Sequence, residues 1–219
     1  MHRQIEVMQK PLGSFNQFSF PQELVKEYFC SQLPQDFCEK VTEDAETMLE
    51  EERLSAPTLY TAHLPLILNW LHSLNRPLIL EQTPCITPLL LYDKDFSTER
   101  ILFHYEGSPE SAKLIRDFVY LFGRVIKSSC ATIISPSFIP KSKLKEEQEL
   151  IQLVRNATSD TSFIKFNFNR MGDFWSYAVK HQCTLLITTK NNQVDLAKVL
   201  FHFYKDGIWR HKLSFYLAA

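Results

Sequence analysis

The stretch RILFHYEGSPESAKLIRDF, residues 100–118, decides the fold, because an apolar strand runs through a Glu-Gly-Ser-Pro corner directly into an amphipathic helix. We predict a strand at 101–105 and a helix at 109–125, whose apolar residues recur at three- and four-residue steps. Ser108 is in the N-cap position and Pro109 in the first helical position. This pattern is typical of the first β-turn-α unit of a doubly wound domain, in which ligands usually sit at the carboxyl end of the first strand.

The chain beyond this corner continues to alternate short apolar segments with amphipathic segments. Such alternation indicates βαβ units and a parallel sheet. Further strands are predicted at 130–134, 163–168, 184–188 and 213–218, and further helices at 142–157, 171–181 and 194–204. We therefore expect a doubly wound α/β domain with a parallel five-stranded sheet over residues 99–219.

The first 92 residues are patterned less regularly. A helix is predicted at 37–54, a strand at 58–61, a helix at 64–74 and short apolar segments at 77–80 and 88–92, whereas 4–9 and 20–30 show little periodicity. This order predicts the back half of a second, reduced α/β unit. The polar segment 93–99 is the expected boundary between the two units.

Charge and hydropathy exclude several classes of function. The chain has 24 basic and 25 acidic residues and a pI near 6.7, so it has no global field to hold nucleic acid or an acidic membrane surface. The longest apolar stretch, 59–74, is interrupted by polar residues and, at about 16 residues, is shorter than a membrane span. The N-terminus lacks the apolar run of a secretory signal. We expect a soluble, cytoplasmic protein.

Cysteines and histidines give no metal or disulfide pattern. The five cysteines are widely spaced and lack a Cys-x-x-Cys pair, which favours free, buried and unreactive thiols in a reducing compartment. The best set of metal ligands would combine Cys183 with His181, His202 and His211, but its spacing matches no known metal motif. We expect no metal and no cofactor.

Residues 85–108, CITPLLLYDKDFSTERILFHYEGS, resemble the join between two tandem universal stress protein domains. In that family one domain ends on a strand of the type Cys-Pro-Val-Leu-Leu-Val, and the next begins with Ile-Leu-Val-x-Tyr-Asp-Gly-Ser; residues 88–92 and 101–108 match these patterns. The resemblance implies an adenine nucleotide alpha hydrolase-like fold for 99–219 and a shortened, degenerate copy over 1–92. It also implies that copies pair, commonly through their last strands, as an internal pseudo-dimer or a homodimer.

The chain departs from the ATP-binding members of that family at two places. Those members have an Asp at the end of the first strand and a loop Gly-x-x-Gly-x9-Gly-Ser/Thr after the fourth. Here Glu106 replaces the Asp, and the loop from Thr188 contains no glycine before Gly207, which Ile208 follows. Because glycine lets backbone N–H groups approach phosphates, we expect no ATP binding in the usual manner. A crevice is still expected at the strand ends. Its predicted border residues are Glu106, Ser108, Ile134 and Thr188.

Three more specific functions, a serine nucleophile, a base-stacking surface and a phosphorelay receiver, fit the residues less well. Ser108 is not in a Gly-x-Ser-x-Gly elbow, so we interpret it as a helix cap and expect no catalytic residue. The aromatic residues between 163 and 177 lack a basic stripe and predict packing rather than base stacking. A phosphorelay receiver would need an Asp after the third strand and a Lys after the fifth, which are absent.

The function expected from these observations is that of a non-enzymatic stress-response module that binds a protein or a small ligand. One alternative is a nucleotide-binding member that uses Glu106 and an atypical loop at 190–193. Another is a structural scaffold without a ligand.

Overall fold

The structure is a computed structural model that describes residues 24–28, 59–93, 96–205 and 213–219. The strands are β1 (Val25–Tyr28), β2 (Leu59–His63), β3 (Leu89–Tyr92), β4 (Arg100–His104), β5 (Cys130–Ser135), β6 (Asp160–Lys165), β7 (Leu185–Thr189) and β8 (Ser214–Ala218). The helices are α1 (Leu64–Ser73), α2 (Pro109–Phe122), α3 (Leu144–Ala157), α4 (Met171–Lys180) and α5 (Gln193–Lys205). Single 3-10 turns precede two of them, at Lys141–Lys143 and Lys190–Asn192.

Strands β4 to β8 form a doubly wound parallel unit. They lie in the order β8-β7-β4-β5-β6, and every neighbouring pair among them is parallel. The strand order reverses between β4 and β7, and such a reversal opens a crevice at the carboxyl ends of the two strands. The predicted doubly wound α/β fold with five parallel strands is confirmed.

The first three strands extend the same sheet to eight strands within the described residues. Strand β2, helix α1 and strand β3 form a βαβ unit, since β2 and β3 are parallel. Strand β3 then pairs antiparallel with β8, and Leu90 lies opposite Tyr216 in this pairing. Strand β8 is therefore covered along both sides, which removes the exposed edge that a terminal strand would otherwise present.

Two apolar layers cover the sheet. Helices α2 and α3 pack together on one face, and helices α1, α4 and α5 pack on the other. Phe103, Phe118 and Phe122 are fully buried in the first layer together with Tyr216. The strands of the central sheet are almost entirely buried, as is expected for parallel strands that are covered on both faces.

The third strand of the parallel unit is the main correction to the predicted elements. It was predicted at 163–168, but β6 begins at Asp160 and ends at Lys165. As the edge strand of the sheet it is only partly covered, so polar residues occupy its first half. Phe166 and Phe168 leave the sheet and stack on each other, with ring centroids 5.3 Å apart.

Smaller differences concern the ends of elements and the N-terminal region. Helix α2 ends at Phe122, before Gly123, and not at residue 125. Residues 20–30, which show little periodicity, contain β1, which pairs antiparallel with β2. The apolar segment 77–80 is not a strand. The predicted helix at 37–54 and the segment 4–9 lie outside the described residues.

Candidate functional site

The corner between β4 and α2 is built as the sequence predicts. Gly107 has a φ of 75°, a conformation that glycine adopts without strain. The Ser108 hydroxyl accepts a hydrogen bond from the backbone N–H of Ser111 at 3.1 Å, so Ser108 is confirmed as the N-cap of α2. The Ser111 hydroxyl in turn accepts from the backbone N–H of Glu106 at 3.2 Å. These contacts fix the direction in which Glu106 leaves the strand.

The Glu106 carboxylate bridges the ends of β4 and β7. Its Oε1 accepts hydrogen bonds from the side chains of Thr189, at 3.3 Å, and Asn192. The Asn192 amide nitrogen also lies 3.1 Å from Thr188 Oγ1 and 3.0 Å from Thr189 Oγ1. The carboxylate, 25 % exposed, is therefore held by one donor at the end of β7 and one in the turn that follows it, across the point where the strand order reverses.

His104 lies beneath this bridge at the end of β4. Its Nδ1 is 3.0 Å from Thr188 Oγ1 and 3.7 Å from Glu106 Oε1, and its ring packs against Phe174 with centroids 3.9 Å apart. Burial lowers the pKa of His104 to about 4, although the nearby Glu106 carboxylate opposes this shift. The imidazole is therefore neutral at physiological pH.

The structure brings the four predicted border residues to the same edge of the sheet. Glu106 and Thr188 are joined through Asn192, and the Ser108 hydroxyl lies 3.5 Å from Glu106 Oε2. Ile134 is almost completely buried in the apolar layer under the crevice. Whether these residues bind a ligand remains a prediction.

Sequence reasoning missed His104, Thr189 and Asn192 as members of this edge. The only local sign of His104 is a polar residue within an apolar strand. Asn192 gave no sign, because its role depends on a carboxylate 86 positions earlier in the chain.

The turn after β7 also carries two side chains that point away from the crevice. The Lys190 side chain is completely buried, and its ammonium forms an ion pair with Glu81 at 2.8 Å. The Gln193 side chain donates to the backbone carbonyl of Glu81 at 2.9 Å and accepts from its N–H at 3.0 Å. Both side chains are thus bound to the segment between α1 and β3.

A second polar cluster lies at the carboxyl ends of β5 and β6. The Ser135 hydroxyl donates to Glu147 at 2.5 Å and accepts from Lys165 at 3.1 Å, and Lys165 also forms an ion pair with Glu147. Ser135 and the Glu147 side chain are almost completely buried. The cluster satisfies its own charges and ties α3 to the sheet edge.

Two surface cavities lie elsewhere. One of about 330 Å³ is found near the amino ends of β4 and β5, where Arg100 and Cys130 line it. The other, of about 540 Å³, lies between α2 and α3 and is lined by Tyr120 and Leu153. Neither is lined by the predicted border residues. Cys130 is exposed, so the expectation that every cysteine is buried is wrong at that position, which is the first residue of a strand.

The described residues contain no group of three or more His, Cys, Asp or Glu side chains that could hold a metal ion. Among the same residues, no helix is both long and apolar enough to cross a bilayer.

Comparison with known proteins gives similarity at the level of structure. No protein-family model matches the sequence, and no curated protein matches it significantly. Solved structures of at least three other proteins resemble the chain. All three are universal stress proteins.

One of them, a universal stress protein in complex with cAMP, is 11 % identical, has a TM-score of 0.35, and matches over 52 % of this chain and 93 % of its own. The protein from Archaeoglobus fulgidus is 8 % identical with a TM-score of 0.43, over 74 % of this chain and 60 % of its own. The protein from Burkholderia pseudomallei is 8 % identical with a TM-score of 0.33. The match covers 54 % of this chain and 95 % of that protein. At this level of similarity the fold assignment rests on the strand order described above.

Proposed function

We propose that the protein is a non-enzymatic, stress-response binding module of the universal stress type that does not bind ATP at the ends of β4 and β7. The observation that carries this proposal is the Glu106 bridge. A nucleotide phosphate entering this crevice would have to displace the Thr189 and Asn192 side chains from the carboxylate. It would also meet a negative charge, since Glu106 has no lysine or arginine within ion-pair distance among the described residues.

The composition of the turn supports the same conclusion. A phosphate loop presents several backbone N–H groups to the anion, and glycine allows the close approach. Here the turn is Lys190–Asn192, without glycine, and it leads directly into α5. Its one cationic side chain, Lys190, is buried against Glu81 and directed away from the crevice. In the alternative, residues 190–193 bind a nucleotide. Lys190 and Gln193 would then have to give up their contacts with Glu81.

We also propose that residues 1–92 are a reduced copy of the same unit and form an internal pseudo-dimer with residues 99–219. The antiparallel pairing of β3 with β8 supports this proposal, because β3 and β8 each end a βαβ unit. Helix α1 packs beside α5 on the same face of the sheet. The three described cysteines are all free thiols, which supports a reducing, cytoplasmic location.

Thermal denaturation with and without ATP and magnesium tests the proposal. A ligand at one hundred times its dissociation constant would stabilise the protein by about 2.7 kcal/mol, a shift that is easily measured. We expect no shift of the midpoint with ATP, AMP or cAMP at millimolar concentration. A saturable rise in the midpoint would overturn the proposal.

Two matched variants show whether any such shift arises in the crevice. Glu106→Gln changes the bridging carboxylate, and Glu110→Gln changes an acidic side chain in the first turn of α2. A shift that Glu106→Gln alone alters would place a nucleotide at the crevice. A shift that neither variant alters would place it elsewhere on the protein.

A further inference from the structure

A buried thiol and a buried amine lie in contact at the junction between the α1–β3 segment and the turn after β7. The Lys190 ammonium donates to the backbone carbonyls of Cys85, at 3.0 Å, and Thr87, at 2.7 Å, and to Glu81 Oε1 at 2.8 Å. The same nitrogen is 3.2 Å from Cys85 Sγ. Nitrogen and sulfur are thus in van der Waals contact although the two residues are 105 positions apart.

The Glu81 carboxylate lies against both groups. Its Oε1 accepts from the Cys85 thiol at 3.1 Å as well as from Lys190. Its Oε2 is buried and has no hydrogen-bond partner among the described residues. A buried carboxylate oxygen without a partner is costly. Here it leaves one site free to accept a proton beside the amine and the thiol.

We propose that Cys85 and Lys190 form a reversible covalent modification site, in which oxidation of the thiol by a hydroperoxide leads to a sulfenamide bond between Sγ and Nζ. In the first step hydrogen peroxide transfers one oxygen atom to the sulfur and leaves as water, so the thiol becomes a sulfenic acid. The sulfur loses two electrons, which reduce the peroxide. Sulfenic acids of this kind condense with nearby nitrogen nucleophiles.

The second step needs no further oxidant. Lys190 gives one proton to Glu81, and its neutral amine attacks the Cys85 sulfur. The N–S bond forms as the S–O bond breaks, and the departing hydroxide takes the second amine proton to leave as water. The neutral sulfenamide replaces an ammonium and a thiol. Thiol reductants reverse the reaction, because a thiolate attacks the sulfur and releases the amine.

The surroundings of the three described cysteines explain why we assign the modification to Cys85. Cys183 is also buried, but the charged group that influences it is the guanidinium of Arg100, which is not a nucleophile at neutral pH. Cys130 is exposed, and no lysine amine contacts its thiol in the part of the chain that the structure describes. Cys85 is 7 % exposed and is followed by Ile86, which is 85 % exposed. The Cys85 thiol is therefore buried close to the protein surface.

Burial raises the pKa of the Cys85 thiol, a hydrogen bond to Glu81 raises it further, and the charge of Lys190 opposes both. Since the thiolate is the reactive form, oxidation is expected to be slow at neutral pH and faster under alkaline conditions. Glu81 and Lys190 are the charged groups that face the thiol in the described residues. Formation of the sulfenamide would then require sustained rather than brief exposure to peroxide.

The bond would lock two parts of the chain together. Lys190 begins the turn whose Asn192 holds the Glu106 carboxylate, and Cys85 lies in the segment that leads to β3. A sulfenamide would therefore fix the turn after β7 to the N-terminal unit by a covalent bond in place of an ion pair.

Peptide mass spectrometry of the full chain tests the proposal. The protein is incubated with hydrogen peroxide at neutral and alkaline pH, unfolded in the presence of an alkylating agent, and digested with and without prior treatment with dithiothreitol. We expect a cross-linked pair of peptides containing Cys85 and Lys190 whose mass is that of the two peptides less two hydrogen atoms. The pair should disappear after dithiothreitol.

Three variants provide the controls. Cys85→Ser removes the sulfur, Lys190→Arg keeps the charge but removes the primary amine, and Lys190→Met removes both charge and amine with little change in length. All three should lose the cross-link completely, and in both Lys190 variants Cys85 should be trapped by dimedone as a sulfenic acid. Cys130→Ser should form the cross-link as the unmodified chain does.

Other results would overturn the inference. They include oxidation of Cys130 with Cys85 left as a free thiol, conversion of Cys85 to a sulfinic acid with Lys190 unmodified, and a cross-link that contains an extra oxygen atom. The last would require a second oxidation that the proposed step does not include.

Discussion

The Lys190 ammonium lies 2.8 Å from Glu81 Oε1, and the two side chains are 0 % and 1 % exposed. This ion pair joins the segment before β3 to the turn after β7, so it ties the N-terminal βαβ unit to the parallel unit. A charge that is buried this completely is stable only with its partner in place, because its removal from water is not otherwise compensated.

Loss of one partner should therefore destabilise the protein more than loss of both. We expect Lys190→Met to lower the free energy of unfolding by about 3–5 kcal/mol, since Glu81 is then buried without its cation. The double variant Glu81→Gln, Lys190→Met should recover much of this loss. Urea denaturation measures both values.

The exposed pair Lys113–Asp117 supplies the control for this measurement. Its side chains are 61 % and 48 % exposed, so Lys113→Ala should change stability by no more than about 0.5 kcal/mol. Equal losses in Lys190→Met and Lys113→Ala, or a double variant no more stable than Lys190→Met, would contradict the role assigned to the buried pair.

The elements of the parallel unit could be predicted because each depends on a local pattern. The corner at Glu106 is an example, in which an apolar strand, a glycine with positive φ and a capping serine follow one another directly. Strand β6 was misplaced because Phe163, Phe166 and Phe168 form an apolar pattern, while the edge strand begins in the polar residues before them.

The contacts of the candidate site could not be predicted in the same way. The Asn192–Glu106 and Lys190–Glu81 contacts each join residues more than 80 positions apart. Nothing local distinguishes Asn192 from an asparagine in an exposed turn, or Lys190 from a lysine on a helix surface. The Asn192–Glu106 contact depends on the order of strands in the sheet, which brings the ends of β4 and β7 together. The Lys190–Glu81 contact depends on the segment before β3 lying against the turn after β7.

Pairing of β3 with β8 predicts protection of β8 within a single chain. The backbone groups of 215–217 are bonded within the sheet on both sides. We expect their amide hydrogens to exchange slowly, and at the same rate in dilute and concentrated solutions, because no second copy is needed to cover the strand. Hydrogen exchange followed by mass spectrometry measures this directly. Protection that appears only at high protein concentration would indicate pairing of β8 between copies.

The hydroxyl of Tyr216 should be a source of instability. It is buried in the layer formed with Phe118 and Phe122 and has no hydrogen-bond partner among the described residues. A buried hydroxyl without a partner costs about 1–3 kcal/mol, so Tyr216→Phe should stabilise the protein by roughly 1 kcal/mol. Tyr105→Phe is the matched control, because the Tyr105 hydroxyl donates to Glu146 at 3.4 Å and its loss should not stabilise. A lower midpoint of urea denaturation for Tyr216→Phe would show that the hydroxyl is satisfied.

His104 should make stability depend on pH between about 4 and 6.5. Its pKa is lowered by burial to about 4 from an ordinary value of 6.5. Within that interval the unfolded chain binds a proton that the folded chain does not, so stability is complete above pH 6.5 and falls as the pH decreases towards 4. At 1.36 kcal/mol for each pKa unit, the loss is about 3 kcal/mol.

Urea denaturation at a series of pH values should show a smaller slope in His104→Gln, which retains a group able to hydrogen-bond to Thr188. His202→Gln, which removes an exposed histidine from α5, should keep the slope of the unmodified protein. If the slope of His104→Gln equals that of the unmodified chain, other groups cause the acid sensitivity.

A side chain at Gly107, in the β4–α2 corner, should destabilise the protein. Its φ of 75° disfavours other residues by about 1–2 kcal/mol, and an added Cβ would lie 3.2 Å from Ile139 Cγ2. We expect Gly107→Ala to destabilise the protein by about 1–2 kcal/mol and to disturb the position of Glu106. Gly172 in the first turn of α4 has nothing within 4 Å of an added Cβ, so Gly172→Ala should be neutral or stabilise by up to about 1 kcal/mol. Thermal and urea denaturation of the two variants compare the same substitution in two backbone conformations. If Gly107→Ala were as stable as Gly172→Ala, the corner would adopt a different conformation in solution.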